Sequence, residues 1–256
     1  MDDLERIELS AVLDFFAAAP PDVAEVFDLA VLQLGGPAAF SIGARPTMLL
    51  FNRVLGLDDD ARLPDLEAWF GSRRCAFAIS VRPGADLEGA LVARGYRRGR
   101  AFMKFRRGVD EPAEPETSLR IERIVQARAD EYGAVVATVF GMDSPLDQWF
   151  AALCTRAGWA CFGALDGDRL VGTGASYVAG SLAWLGAAGT LAEASGRGAQ
   201  SAILATRIRA ACDAGARVLA AETVDRVDGE AEPSFRNLVR AGFEGAYVQQ
   251  WWVRPE

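Results

Sequence analysis

The chain of 256 residues contains no histidine. That absence removes Ser-His-Asp and Cys-His nucleophilic mechanisms and the commonest zinc ligand, so any chemistry falls to carboxylates, tyrosines, lysines and backbone groups. Cysteine is scarce as well. Cys75, Cys154, Cys161 and Cys212 form no C-x-x-C pair and lie in apolar stretches, the pattern of reduced core thiols rather than of disulfides or a metal site. No uninterrupted apolar run approaches bilayer-spanning length, and the opening Met1-Asp2-Asp3-Leu4-Glu5 is acidic where a secretory signal is basic. A cytoplasmic protein without a membrane partner is therefore expected. Positive charge is in deficit, 27 Lys and Arg against 35 Asp and Glu, and the net charge of −8 disfavours nucleic acid as a partner. The basic run Arg94, Arg97, Arg98, Arg100, Lys104, Arg106 and Arg107 reads as a solvated surface.

What is present is apolar sequence enough for a sizeable core, 51% of the residues, divided by one polar stretch. Residues 108–118, GVDEPAEPETS, are rich in Pro and Glu and lack hydrophobic periodicity, the composition of a linker between units 1–107 and 119–256. In the second unit a strand is expected over Leu119–Val125, and helices over Ala127–Phe140 and Ser144–Arg156, the latter opened by Ser144 as N-cap. Three strands follow at Trp159–Leu165, Leu170–Ala179 and Leu182–Gly189, an antiparallel meander. A helix over Ala199–Ala214 closed by Gly215, a strand Arg217–Val224, a helix Pro233–Ala241 and a strand Phe243–Val253 complete it.

The first unit reads as helices over Leu4–Ala19 and Asp22–Leu34, strands over Ala38–Ile42 and Thr47–Asn52, a helix Leu63–Phe70, a strand Cys75–Val81, a helix Leu87–Arg94 and a strand Ala101–Arg106. Its end, Leu91-Val92-Ala93-Arg94-Gly95-Tyr96 and then Ala101 to Phe105, is echoed by Leu238-Val239-Arg240-Ala241-Gly242-Phe243 and then Val248 to Trp252. Two tandem copies of one fold are the expectation.

The segment richest in chemistry is the strand ending Gly186-Ala187-Ala188-Gly189, then Thr190-Leu191-Ala192, then Gly196-Arg197-Gly198-Ala199-Gln200-Ser201 at the start of the Ala-rich helix. A Gly-rich turn entering a helix presents backbone N–H groups and the positive end of the helix dipole to an anion. Neither G-x-G-x-x-G nor G-x-x-x-x-G-K-[ST] occurs here, and three consecutive strands precede the turn, which argues against a dinucleotide fold.

With the meander before it and Asn237 to Phe243 after it, this segment resembles the GNAT superfamily of acyl-CoA-dependent N-acyltransferases over about Leu119 to Glu256. The resemblance implies an α/β (α+β) fold with a mixed, mostly antiparallel central sheet flanked by helices, here in tandem. It also implies acetyl-CoA as co-substrate, an amine as acceptor, and N-acetyltransferase activity. A bulge would fall at Gly186 to Gly189, Thr190, Leu191 and Ala192 would face the pantetheine arm, and Gly196, Arg197, Gly198, Ala199, Gln200 and Ser201 would hold the pyrophosphate.

Ser195 and Gln200 depart from the family's loop pattern, and Leu238 replaces its frequent tyrosine acid. Glu222 is the candidate base and Tyr247, or Tyr177, the candidate acid. The aromatics Trp149, Phe150, Trp251 and Trp252 are candidate linings of an acceptor pocket, set against ordinary core packing. The first unit has no Gly-rich helix start and reads as a degenerate copy. A homodimer is compatible with this reading. A non-catalytic acyl-CoA sensor or scaffold is the alternative function.

Overall fold

A computed structural model describes residues 1–225 and 233–254. Residues 226–232 and 255–256, within the expected second unit, lie outside the described residues. The first unit runs α1 (Asp3–Ala17), α2 (Pro21–Val26), β1 (Leu29–Gln33), β2 (Ala38–Ile42), β3 (Arg53–Leu55), α3 (Leu63–Ser72), β4 (Ala78–Val81), α4 (Glu88–Ala93) and β5 (Arg97–Arg107). The second runs β6 (Arg120–Arg123), α5 (Ala129–Phe140), α6 (Leu146–Ala152), β7 (Trp159–Asp166), β8 (Arg169–Ala179), β9 (Leu182–Thr190), α7 (Ala199–Asp213), β10 (Val218–Val224), α8 (Pro233–Arg240) and β11 (Glu244–Val253).

Most elements match the sequence expectation, because their signals are local. Asp166 to Arg169 and Gly180 to Ser181 close two tight hairpins, and Gly215 (φ +99°) follows the last turn of α7. Three expectations are corrected. The helix expected over Asp22–Leu34 stops at Val26, since Asp28 takes a left-handed conformation (φ +49°) and the chain turns into β1 against β2. The strand expected over Thr47–Asn52 is a loop: buried Asn52 accepts from the Ile42 N–H (2.7 Å) and donates to the Arg45 carbonyl (2.8 Å), and pairing begins only at Arg53. Ser144 makes no cap, as α6 starts after Pro145 without a side-chain cap.

Among the described residues eleven strands form one sheet in the order β1-β2-β3-β4-β11-β5-β10-β9-β8-β7-β6. Each unit's last strand sits beside the other's. β5 runs antiparallel between β10 and β11, and β11 runs antiparallel between β4 and β5, so the closing strand of each expected unit pairs with strands of the other. The segment 108–118 carries no helix or strand, yet it is anchored: Arg209 of α7 pairs with Glu111 and Glu114 at 2.5 Å each.

Helices α1, α5 and α6 bury Phe15, Phe16, Tyr132, Val136, Trp149 and Phe150 in a core on one face. α7 and α8 bury Leu204, Ile208 and Leu238 against Phe105, Leu185 and Leu219 on the other. Because strand side chains alternate, β10 sends Ala221 to the α7 face and its neighbour Glu222 to the α1 face. The basic run needs correction on the same ground: Lys104 and Arg107, in a central strand, are buried, while Arg97, Arg98, Arg100 and Arg106 are exposed.

Candidate active site

The site forms where two parallel strands stop pairing. β9 and β10 pair from Leu182↔Val218 to Leu185↔Ala221 and no further, so Gly186 to Thr190 and Glu222 to Val224 diverge. At the same level β9 is bulged against β8. Thr173 faces Gly189 while Ala175 faces Gly186, and Ala187 adopts φ +47°.

Two side chains from α7 hold the irregular backbone. Arg207 donates to the carbonyls of Ala175 (3.0 Å) and Gly186 (3.1 Å); its guanidinium is fully buried and burial pushes its pKa down to about 10. Gln200 donates to the carbonyls of Thr173 (3.2 Å) and Gly189 (2.7 Å) and to Thr190 Oγ1 (2.9 Å). Gln200 is thus an internal strut.

The loop leading to α7 follows the bulged strand. Gly196 and Gly198 take φ +77° and +79°, and Gly198 occupies the N-cap. A side chain at Gly198 would run into the Glu116 carbonyl oxygen, so this glycine also admits the inter-unit segment, where Thr117 Oγ1 donates to the Arg197 carbonyl (2.8 Å). Among the described residues no acceptor takes the amide hydrogens of Gly196, Arg197, Gly198, Ala199, Gln200 or Ser201. Unpaired N–H groups at a helix start are chemically able to receive an anion. Arg197 adds no free charge, because it forms a bidentate pair with Asp166 (2.5 and 2.9 Å). Of the residues expected at the pantetheine arm, Thr190 is engaged by Gln200. Leu191 cannot donate, since its N–H is spent on the Val171 carbonyl (2.9 Å). Ala192 is exposed at the start of a short 3₁₀ turn.

Through the splay runs a cavity of about 570 Å³. On the α7 side it is bounded by Gln200, Leu204, Asn237 and Leu238, and on the α1 side by Val12, Phe15, Phe51, Phe150, Trp159 and Trp184. Of the expected aromatics only Phe150 lines it. Trp149 stacks behind Phe15, Trp251 packs on Phe102, and Trp252 belongs to the first unit's core. The hydroxyls of Thr223 and Ser234 meet at 2.6 Å at the wall where β10 faces α8.

Glu222 lines the cavity, but it does not stand alone. Its carboxylate binds Lys104 and lies 3.7 Å from Arg53, while Lys104 also reaches Glu8 of α1 (2.5 Å) and Arg53 lies 3.4 Å from Glu8. Four charges from α1, β3, β5 and β10 sum to zero in a nearly dry site, the arrangement that makes buried ions tolerable. Burial raises the Glu222 pKa, but Lys104 and Arg53 outweigh it and hold the carboxyl below its ordinary value. For Glu8, burial and the neighbouring Glu222 prevail and push its pKa up.

Tyr247 is in register with Lys104 yet does not line the cavity. Its hydroxyl is directed to Asp2 Oδ1 (3.3 Å), and burial with Glu5 and Asp2 pushes its pKa up. Tyr177 packs on Trp159 rather than lining the cavity.

Sequence reasoning did not single out Arg207, Arg53 or Glu8, and it placed Lys104 on a solvated surface. Arg207 had a readable signal, standing four residues after Ile203 on the apolar stripe of α7.

Among the described residues, no helix is long and apolar enough to cross a membrane, and no cluster of potential metal ligands occurs. No protein-family model and no curated protein sequence matches the chain. Solved structures do. A GCN5-related N-acetyltransferase from Kribbella flavida superposes with a TM-score of 0.69 at 14% identity over 100% of this chain and 97% of that one. A second, from Sphaerobacter thermophilus, gives 0.63 at 17% identity over 99% and 93%. A tandem GNAT protein from the clavulanic acid biosynthesis pathway gives 0.64 at 15% identity over 98% and 95%. The shared fold spans both units.

Proposed function

We propose that this chain, built on the fold of the GCN5-related N-acetyltransferases, moves an acetyl group from acetyl-CoA to a primary amine of a small molecule or protein. The observation that carries the reading is the run of six unpartnered amides from Gly196 to Ser201, opening beside a bulged and splayed strand pair. Amides at a helix start bind the diphosphate, and the strand edge freed between Gly186 and Thr190 accommodates the pantetheine arm. Acetyl-CoA supplies an activated thioester carbonyl in the splay.

The chain's own groups then orient the reactants. Backbone N–H groups of the Ala187 to Gly189 bulge polarise the carbonyl, a role that requires no particular side chain. The Glu222 carboxylate, held as an anion by Lys104 and Arg53, draws the acceptor amine to the cavity and receives its proton directly or through water. A thiol with an ordinary pKa of about 8.5 departs more readily than an alkoxide, so hydrogen bonding from the Thr223 and Ser234 hydroxyls replaces the missing tyrosine acid.

The first unit contributes α1, Arg53 and Lys104 to this site rather than a second cofactor site. Its corresponding helix, α3, is preceded by Asp58, Asp59 and Asp60, whose charge repels phosphate.

One observation favours the non-catalytic reading. The Glu222 carboxylate is already engaged by two cations, as in a purely structural ion cluster. Turnover separates the two: incubation with acetyl-CoA and a panel of amines should release CoA thiol in step with N-acetylated product, and Glu222→Gln should lower kcat and shift its pH profile. Tight acetyl-CoA binding without transfer to any amine would favour the sensor.

A further inference from the structure

The cavity on the α1 side of the splay has a chemistry of its own. Its aromatic walls are locked: Phe15 stacks on Trp149 (4.2 Å, 10°) and packs against Phe51 (6.0 Å) and Phe150 (5.2 Å), while Trp159 meets Trp184 edge-on (6.2 Å). The polar handle of Trp159 is already spent, its indole N–H donating to Asp14 (2.8 Å). Trp149 likewise donates to the Phe15 carbonyl (2.6 Å). These two indoles therefore offer the ligand no donor, and what reaches the cavity from this wall is ring face and hydrocarbon apart from the Trp184 indole N–H, which has no acceptor among the described residues. Charge enters at one place only among the described lining residues of this side, where Glu222 and Arg53 meet. At the rim, Phe140 and Leu50 line the cavity while remaining 43% and 39% exposed.

From this geometry, and resting on the acyltransferase reading, we infer that the acceptor is a primary amine with a single cationic end and an aryl or similarly bulky apolar body. Its amine meets Glu222 and its body fills the box of Phe15, Phe51, Phe150, Trp159 and Trp184. Ring faces stack favourably on such walls. A polyamine, an aminoglycoside or a peptide lysine would bring further ammonium, hydroxyl or amide groups among hydrocarbon, where each polar group left without a partner weakens binding.

The test uses the whole chain with saturating acetyl-CoA, measuring kcat/KM for tryptamine and 2-phenylethylamine against spermidine, kanamycin and a lysine-containing peptide. The arylalkylamines should lead by about 10- to 100-fold, the scale expected for burying an aromatic ring. Phe140→Ser, at the exposed rim, should raise KM for tryptamine about 5- to 10-fold while leaving KM for acetyl-CoA unchanged. Preferred use of a polyamine, aminoglycoside or peptide, or failure to acetylate any arylalkylamine while CoA binds, overturns the inference and leaves the cofactor site standing. A strong preference for octanoyl-CoA over acetyl-CoA would assign the cavity to the donor's chain and overturn it equally. A chain that gives no thermal shift with CoA refutes the acyltransferase reading itself.

Discussion

Charge placed at Gly196 gives a direct reading of the proposed diphosphate loop. Gly196 is exposed, its backbone lies at φ +77°, and a side chain there meets nothing within 4 Å. Asp and Asn are the residues that best tolerate this left-handed conformation, so Gly196→Asp and Gly196→Asn share the same backbone cost of about 1 kcal/mol and differ in one charge. A carboxylate about 5 Å from a bound diphosphate would repel each unit charge by roughly 0.8 kcal/mol in bulk water and about 3 kcal/mol at an effective dielectric near 20. The loop is open to solvent, which selects the lower part of that range. Two phosphate charges then give about 2 kcal/mol, a weakening of about 30-fold.

The assay is calorimetric titration of CoA into each variant at low ionic strength and again near 1 M salt, where the Debye length falls to about 3 Å and the penalty should shrink. The Asn variant should stay within about threefold of the parent. Equal affinities for the Asp and Asn variants at low salt would refute the placement of the diphosphate. Gly198 is the poorer probe, because its missing side chain makes room for the Glu116 carbonyl and a substitution there disturbs the inter-unit segment.

Lys104→Met leaves Glu8 and Glu222 facing each other with only Arg53 between them, so chemical denaturation should show a loss of about 3–5 kcal/mol at neutral pH; a loss under 1 kcal/mol would contradict the cluster. The two carboxylates should respond oppositely to pH. Glu222 is held below its ordinary value of 4.5, so its stabilisation is present above that value and lost as pH falls through the lower folded value. The deficit of Glu222→Gln should accordingly be full at pH 7 and close as pH falls below 4.5 and through the lower folded value. Glu8 is pushed above 4.5, so its ionisation costs stability as pH rises, and Glu8→Gln should gain on the parent in that direction. Parallel denaturation curves across pH for either variant would count against these assignments.

The elements of the second unit were legible to within a few residues because most of its signals are local: period-two strands, turns at Asp166 to Asp168 and Gly180 to Ser181, and Gly215 after α7. β1 and β3 were not, since their limits depend on the conformation of Asp28 and on the Asn52 side chain bonding to Ile42 across the fold. The repeat between the two unit ends was visible, but not its consequence, because the pairing of β5 and β11 with strands of the other unit joins segments more than 100 residues apart. The glycines of the loop could be read directly. The ion cluster could not, as Glu8, Arg53, Lys104 and Glu222 lie on four elements and each alone resembles a surface charge. Nor does sequence show that the Leu191 amide is already paired or that Tyr247 turns toward Asp2.

Calorimetry of acetyl-CoA against the whole chain tests the central claim most directly. One saturable site per chain, weakened by salt and accompanied by a rise in Tm, is the predicted result. Two equivalent sites would contradict the assignment of the first unit, and no heat with no change in Tm would contradict the anion site at Gly196 to Ser201 and the acyl transfer built upon it.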